Sequence, residues 1–239
     1  MELTFAGKTV FVAGGTGGLG RAVTLAYLDH AANVIVTYRR PEEFASIERI
    51  AEEKAGSLFG FSADLTQPAA TQSLVADLVS RFSRLDVLVN CIGGYSGGTP
   101  AWQQDDSTWN RMLDLNLRAA NSLFRAVVPV MLAAKTGSIV QVNARAALDH
   151  GAGAASYSAA KAALLALTGS LANDLKGTGI RVNSILPSII DTPANRHAMP
   201  DADYDKWPRP EDLASVILFL TNDAARAIHG AAIPVYGNA

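Results

Sequence analysis

Lys8-Thr9-Val10-Phe11-Val12-Ala13-Gly14-Gly15-Thr16-Gly17-Gly18-Leu19-Gly20 is the stretch that decides the fold. Lys8 to Ala13 is a short apolar run that suits a parallel strand buried on both faces. A glycine-rich turn follows, and then a helical pattern from Arg21 to His30. Strand, glycine turn and helix form a cradle for a pyrophosphate. The backbone comes close where side chains are missing, and the helix start offers free N–H groups and the positive end of its dipole. The spacing is G-x-x-x-G-x-G through Gly14, Gly18 and Gly20, not the standard G-x-G-x-x-G.

Outward from this turn, strand and helix alternate. Strands are expected at Asn33 to Tyr38, Ser57 to Ser62, Leu85 to Asn90, Gly137 to Asn143, Gly179 to Leu186 and Ala231 to Tyr236. Helices are expected at Glu42 to Lys54, Gln67 to Phe82, Ser107 to Ala134, Ser156 to Leu175 and Pro210 to Thr221, with Pro129 kinking the fourth helix of the chain or marking its last turns. The alternation implies an α/β fold: one Rossmann-type domain over residues 1–239, a parallel sheet of about seven strands and helices on both faces. Ligands of such sheets bind beyond the carboxyl ends of the strands. Asp64, Asn90 and Gly93 fall there. So does the second strand's end, which carries Arg39 and Arg40 and no acid. An acid at that point would select the ribose 2′-OH of NAD(H), whereas an arginine holds a 2′-phosphate, so NADP(H) is favoured and NAD(H) stays possible. The two arginines also fit a solvated helix entry.

The bulk numbers narrow the class. The chain has 239 residues, 49% hydrophobic and 18% charged, which suits a globular domain with a substantial core. A net charge of −2 leaves no electrostatic footprint for nucleic acid or an anionic membrane. A single cysteine, Cys91, fits a reducing compartment, and the four histidines lack metal-ligand spacing, so no metal is expected. The opening MELTFAGKTV has no signal-like pattern, and no apolar run reads as long enough to span a membrane, so a cytoplasmic location is expected.

Tyr157 and Lys161 lie four apart in the Ser156 helix and so share a face. A phenol titrates near 10 when free, and an ammonium one turn away is expected to lower that value, making the pair a tuned general acid. In isolation the pair also fits an ordinary helix surface. The loop Tyr95 to Trp102 offers two aromatics that would stack on a flat substrate or simply pack on the protein. His150 and Asp149 read as surface residues, Asp191 as a turn former before Pro193, and residues 195–207 as a short lid or loop.

Assembled, these residues resemble the short-chain dehydrogenase/reductase family from about Lys8 to Gly237. The resemblance rests on Gly14-xxx-Gly18-x-Gly20, Asp64, Asn90-x-x-Gly93, Asn116, Tyr157-xxx-Lys161 and Pro187 to Thr192. It implies a nicotinamide cofactor, a small-molecule substrate and a homodimer or homotetramer. It further implies Tyr157 as proton donor, Lys161 on the nicotinamide ribose and Asn116 anchoring a relay water. Thr16, Leu19, Leu65, Pro187, Ile189 and Thr192 complete the expected cofactor site, with Tyr95, Ala144 and Arg145 on the substrate side.

One departure stands out. The family's catalytic serine normally precedes the tyrosine by thirteen residues, where this chain has Ala144. Alanine has no hydroxyl to donate to a substrate carbonyl. Within the family, residues 92–98, 144–149 and 191–207 look closest to dihydropteridine reductases, a group that also carries alanine there and reduces a quinonoid dihydropterin. Tyr95 falls where that group has an aromatic. Arg39 and Asn116 depart from that group and follow the wider family. A general carbonyl or 3-oxoacyl reductase, or a non-catalytic NADPH-binding protein, is the alternative.

Overall fold

The computed structural model describes residues 4–238; Met1–Leu3 of the opening and Ala239 lie outside it. In chain order the main elements are β1 (Thr9–Ala13), α1 (Gly18–Asp29), β2 (Asn33–Tyr38), α2 (Pro41–Ala51), β3 (Ser57–Ser62), α3 (Pro68–Phe82) and β4 (Val87–Asn90). Then come α4 (Asp106–Leu113), α5 (Ala119–Ala134), β5 (Gly137–Val142), α6 (Ala146–Asp149), α7 (Ala155–Asp174), β6 (Ile180–Pro187), α8 (Pro193–Ala198), α9 (Pro210–Thr221) and β7 (Ala232–Val235). The seven strands form one sheet in the order β3-β2-β1-β4-β5-β6-β7, with every pairing parallel. The order reverses between β1 and β4, which opens a crevice above their carboxyl ends.

Each face of the sheet has its own core. Phe11, Ile35, Leu88 and Ile139 point to α3, α5 and α7, where they meet Leu78, Leu123, Val127 and Leu164. Val10, Val12, Val34 and Val140 point the other way, to Val23 and Tyr27 of α1 and Leu213 and Ile217 of α9. This is the period-two alternation of a strand covered on both sides. All five residues of β1 are buried, so the glycine turn leaves from a fixed platform.

Two expectations about the fourth helix change. It is not regular: α4 and α5 are joined by a π-helical stretch, Asp114–Arg118, in which Ala119 N–H reaches back five residues to Asp114 O. The irregularity sits at Asn116, while Pro129 falls in the last turns of α5, which runs on to Ala134. The continuous helix Asp106–Ala134 is also long and apolar enough to span a membrane, with mean hydropathy 1.3, contrary to the reading that no run is. Within the fold it is a core helix, with Leu123, Phe124, Val127 and Met131 buried against the sheet.

The segment read as a lid holds structure of its own. Thr192 Oγ1 accepts from Asn195 N–H (3.2 Å) and caps α8, which starts at Pro193. Arg196 binds the Asp191 carboxylate (Nη2–Oδ2 2.7 Å), and the Tyr204 hydroxyl donates to Pro200 O (2.9 Å). Asp191 thus holds the turn, as its position before Pro193 implied, with its carboxyl pulled below the usual range by Arg196.

Candidate active site

The glycine turn is shaped by exclusion. Gly14 has φ +76°, which a side chain rarely adopts, and its N–H donates to Thr37 Oγ1 (3.0 Å). A Cβ on Gly20 would lie 2.0 Å from Gly14 O, so the helix packs on the turn only without one. α1 begins with no side-chain cap and no acid in its first turn, so its leading N–H groups and positive dipole end face the crevice unopposed.

Gly14, Thr16 and Gly17 line a cleft of about 180 Å³ together with Thr37, Tyr38, Arg39, Glu43, Asp64, Leu65 and residues 91–93. A larger cleft of about 470 Å³ surrounds Asp86 and Ser138 at the opposite ends of the strands, so size alone does not mark the site. The two arginines part company here. Arg40 is bound to Glu43 (Nε–Oε1 2.8 Å) and lies near Glu42, while Arg39 lines the cleft and makes no ion pair among the described residues. Asp64 accepts from Thr66 N–H (3.0 Å) and Oγ1–H (2.7 Å), which hold its carboxyl low, with Arg39 adding to the effect. Thr192 closes the other side, its methyl 3.0 Å from where a Gly18 Cβ would be. Leu19 is buried in α1, Pro187 ends β6 and accepts from Arg145 N–H (2.8 Å), and Ile189 is exposed beyond it. The N–H groups at the start of α1, the glycine turn and the Arg39 guanidinium fit an anionic dinucleotide, while Glu43, an acid beside them, is held by Arg40 and by Thr16 (Oγ1–Oε2 3.3 Å).

Asn90 differs from its expected place. Its side chain is buried, donating to Gln141 Oε1 (2.8 Å) and accepting from Ile92 N–H (3.1 Å). It shapes the strand end, and Cys91, Ile92 and Gly93 line the cleft instead.

Gly93 connects that cleft to Asn116 and Lys161. A Cβ on it would sit 2.9 Å from Asn116 Oδ1 and 3.3 Å from Lys161 Nζ. The Asn116 side chain is fully engaged: Oδ1 accepts from Gly94 N–H (3.2 Å), and Nδ2 donates to Gly94 O and Met112 O (3.0 Å each). The π-helical stretch places it there, a position no sequence periodicity could show.

Lys161 is buried, with Val142 O (3.4 Å) as its hydrogen-bond partner, and burial lowers its pKa to about 8. Its ammonium stands 5.9 Å from the centroid of the Tyr157 ring. The expected lowering of the Tyr157 pKa is reversed. In the cofactor-free chain burial raises it to about 12, and neighbouring Tyr95 adds to the rise. Tyr95 meets Tyr157 edge-on, with centroids 5.0 Å apart at 78°. Of the two loop aromatics only Tyr95 is at the site; Trp102, 84% exposed, lines a separate groove with His150 and Ala159.

On the far side Ala144 is buried at the end of β5, its N–H donating to Asn143 Oδ1 (2.9 Å). Asn143 Nδ2 is buried with no partner, as are the hydroxyls of Ser156 and Ser158 on either side of Tyr157. Arg145 is not free for a substrate as expected: Asp149 holds its guanidinium, which lies over the Tyr236 ring (4.9 Å). His150 is exposed, and Cys91 is no nucleophile, since burial pushes its thiol up to about 12. Sequence reasoning missed Thr37, Cys91 and Ile92. Only Thr37 carried a signal, as a polar residue in an otherwise apolar strand.

Comparison with known proteins agrees with this geometry. The family described as short chain dehydrogenase matches residues 8–203. A 3-oxoacyl-[acyl-carrier-protein] reductase of Thermotoga maritima is 29% identical, covering 97% of this chain and 97% of its own length. A short-chain type dehydrogenase/reductase of Mycobacterium ulcerans superposes with a TM-score of 0.94 at 28% identity, over 99% of this chain and 90% of the other. L-sorbose reductase of Gluconobacter frateurii, solved with NADPH and L-sorbose, gives 0.91 at 26% identity, over 99% and 98%. None of the three is a dihydropteridine reductase, so that finer resemblance rests on residues 92–98, 144–149 and 191–207 alone.

Proposed function

This chain belongs to the short-chain dehydrogenase/reductase family and is an NAD(P)-dependent oxidoreductase, and we propose that it uses NADPH to reduce a flat conjugated ring of the dihydropterin class. The observation that carries the reading is Ala144. A methyl stands where a second donor to the substrate would be, beside an intact Tyr157 and an aromatic neighbour, Tyr95. A ketone needs its oxygen polarised, and losing one such donor costs about 2.7–4 kcal/mol, a factor of 10² to 10³ in rate. A conjugated C=N already poor in electrons needs less help, so a site with a single donor suits it.

In this reading the N–H groups at the start of α1 hold the pyrophosphate, Arg39 the 2′-phosphate and Lys161 the nicotinamide ribose. The nicotinamide, when bound, supplies the hydride. Tyr157, with its pKa near 12, keeps its proton at neutral pH until the substrate nitrogen takes it. Asn116 clamps Gly94 through both its N–H and C=O, and so holds the neighbouring Gly93 against Lys161. Tyr95 offers its exposed ring as a stacking face.

A second reading, reduction of a 3-oxoacyl group or similar ketone, is favoured by Asn143, next to Ala144, whose buried Nδ2 has no partner and would take over the serine's donation on turning towards the substrate. It is also the activity in the name of the Thermotoga maritima relative. The test is NADPH oxidation with a quinonoid dihydropterin, run beside NADH and a ketone panel. Turnover of the pterin with NADPH is the expected result, and ketone turnover without pterin turnover overturns it for the second reading. Ala144→Ser sharpens the choice: ketone reduction should rise about 10²-fold while the pterin rate changes little.

A further inference from the structure

α7 starts badly. Its N-cap is Ala154, which has no side-chain acceptor, and the first turn contains no acid. The leading N–H groups of a helix need partners from outside it. Tyr157 is the third residue of this helix, so the set of that first turn is the set of the phenol.

The missing partner comes from fifty residues earlier. Gln104 Oε1 accepts from Ser156 N–H at 3.0 Å. The same amide turns its Nε2 outward to two carbonyls, Gly153 O (3.3 Å) and Thr99 O (3.4 Å). The orientation is fixed by chemistry: Ser156 N–H only donates and the two carbonyls only accept. Gln104 itself stands on firm ground, because the next residue, Asp105, caps α4 by accepting from Thr108 N–H (2.7 Å). The loops it joins already touch, since a Cβ on Gly153 would come within 3.3 Å of Gly98 N. One of those loops carries Tyr95, whose ring meets Tyr157.

We propose that Gln104 is a positioning residue: one side-chain amide both caps the tyrosine helix and clasps the Tyr95 loop to it, setting Tyr157 and Tyr95 relative to each other. This rests on Tyr157 being the proton donor. The two ends of the amide do separable work. The acceptor end seats Tyr157 and governs proton transfer. The donor end seats the loop and governs how a flat substrate is held. A displacement of about 1 Å at a reacting group costs up to 10²-fold in rate, so a partial loosening is expected to cost about tenfold.

The experiment compares Gln104→Met, which keeps the volume and removes every hydrogen bond, with Gln104→Glu, which keeps the acceptor and loses both donors. Both are assayed with the best acceptor of the panel, alongside Tyr157→Phe. Gln104→Met should lower kcat about tenfold, raise KM and enlarge the solvent isotope effect on kcat, with the NADPH Kd within twofold of the parent. Gln104→Glu should keep kcat within about twofold and raise KM about tenfold. A Gln104→Met enzyme with parental kcat, KM and isotope effect, beside an inactive Tyr157→Phe, overturns the clasp and leaves the proton donor standing. Loss of NADPH affinity in step with kcat would mark a general loosening of the fold and also overturn it. A fully active Tyr157→Phe instead removes the reading on which the clasp depends.

Discussion

The two sides of the crevice are built from different materials. The side above β1 and β2 leans on backbone: a turn that admits no Cβ at Gly20, the N–H groups at the start of α1, and beside them Arg39, which has no ion pair among the described residues. The side above β5 and α7 is mostly side chains: Tyr157, the exposed Tyr95, the methyl of Ala144, and the Gln104 amide that reaches across loops. Backbone grips a group common to many enzymes and leaves little room for substitution. Side chains choose a substrate and exchange one for another at small cost to the fold. The first side therefore reads out the family, while the second holds what distinguishes this chain within it.

Tyr157→Phe tests the contrast most severely. It should cut the reduction rate at least tenfold, and general-acid contributions run from about 10² to 10⁴. A fluorescence titration should find the NADPH Kd nearly unchanged, because the pyrophosphate turn lies on the other side. Equal losses of rate and affinity would mean that the two sides are not independent. Gly20→Ala should do the opposite. Its Cβ would meet Gly14 O at 2.0 Å, so NADPH affinity should fall at least tenfold in the same titration.

Arg39→Ala is narrower still. Charge-assisted hydrogen bonds contribute about 1.5–3 kcal/mol, so the preference for NADPH over NADH, measured as a ratio of kcat/KM, should drop about tenfold or more with NADH kinetics little changed. An unchanged ratio would move the 2′-phosphate contact elsewhere.

The smallest effect is in stability. The pKa of Lys161 is about 8 in the folded chain, against 10.5 for a free lysine, so between those values the unfolded chain binds more protons. The contribution of Lys161 should therefore make the cofactor-free protein more stable as pH rises from about 8 towards 10. From about pH 9 Cys91 opposes it, and from about pH 10 Tyr157 does too, since burial lifts both groups to about 12, above their ordinary 9.0 and 10.0. Urea denaturation across pH 8–10 should show a rising component that Lys161→Met abolishes.

How much of this was legible in the sequence differs from element to element. All seven strands could be read from short apolar runs; the five central ones, β1, β2, β4, β5 and β6, are largely buried, and the flanking β3 and β7 stay partly exposed. The turn at Gly14 was legible as well, since the glycines and the strand beside them are neighbours in sequence. Asn116 was found by its place in a motif, yet the π-helical stretch that aims it was not, because a π turn has no period of its own in the sequence. The pKa of Tyr157 was read with the wrong sign. Four residues of spacing announced the lysine, but the desolvation that raises the phenol exists only once the helix is packed.

Sequence alone therefore determined what depends on neighbours along the chain: the α/β alternation, the glycine turn, the Tyr157–Lys161 pair and the absence of a serine at Ala144. Tertiary structure decided what depends on neighbours in space. It separated Arg39 from Arg40, bound the Asn90 side chain to Gln141 and Arg145 to Asp149, and placed Tyr95 rather than Trp102 against Tyr157. It also brought Gln104 to a helix fifty residues on. The reason is physical: a hydrogen bond or a desolvation energy is set by distance through space, and only contacts close along the chain have that distance fixed by the chain itself.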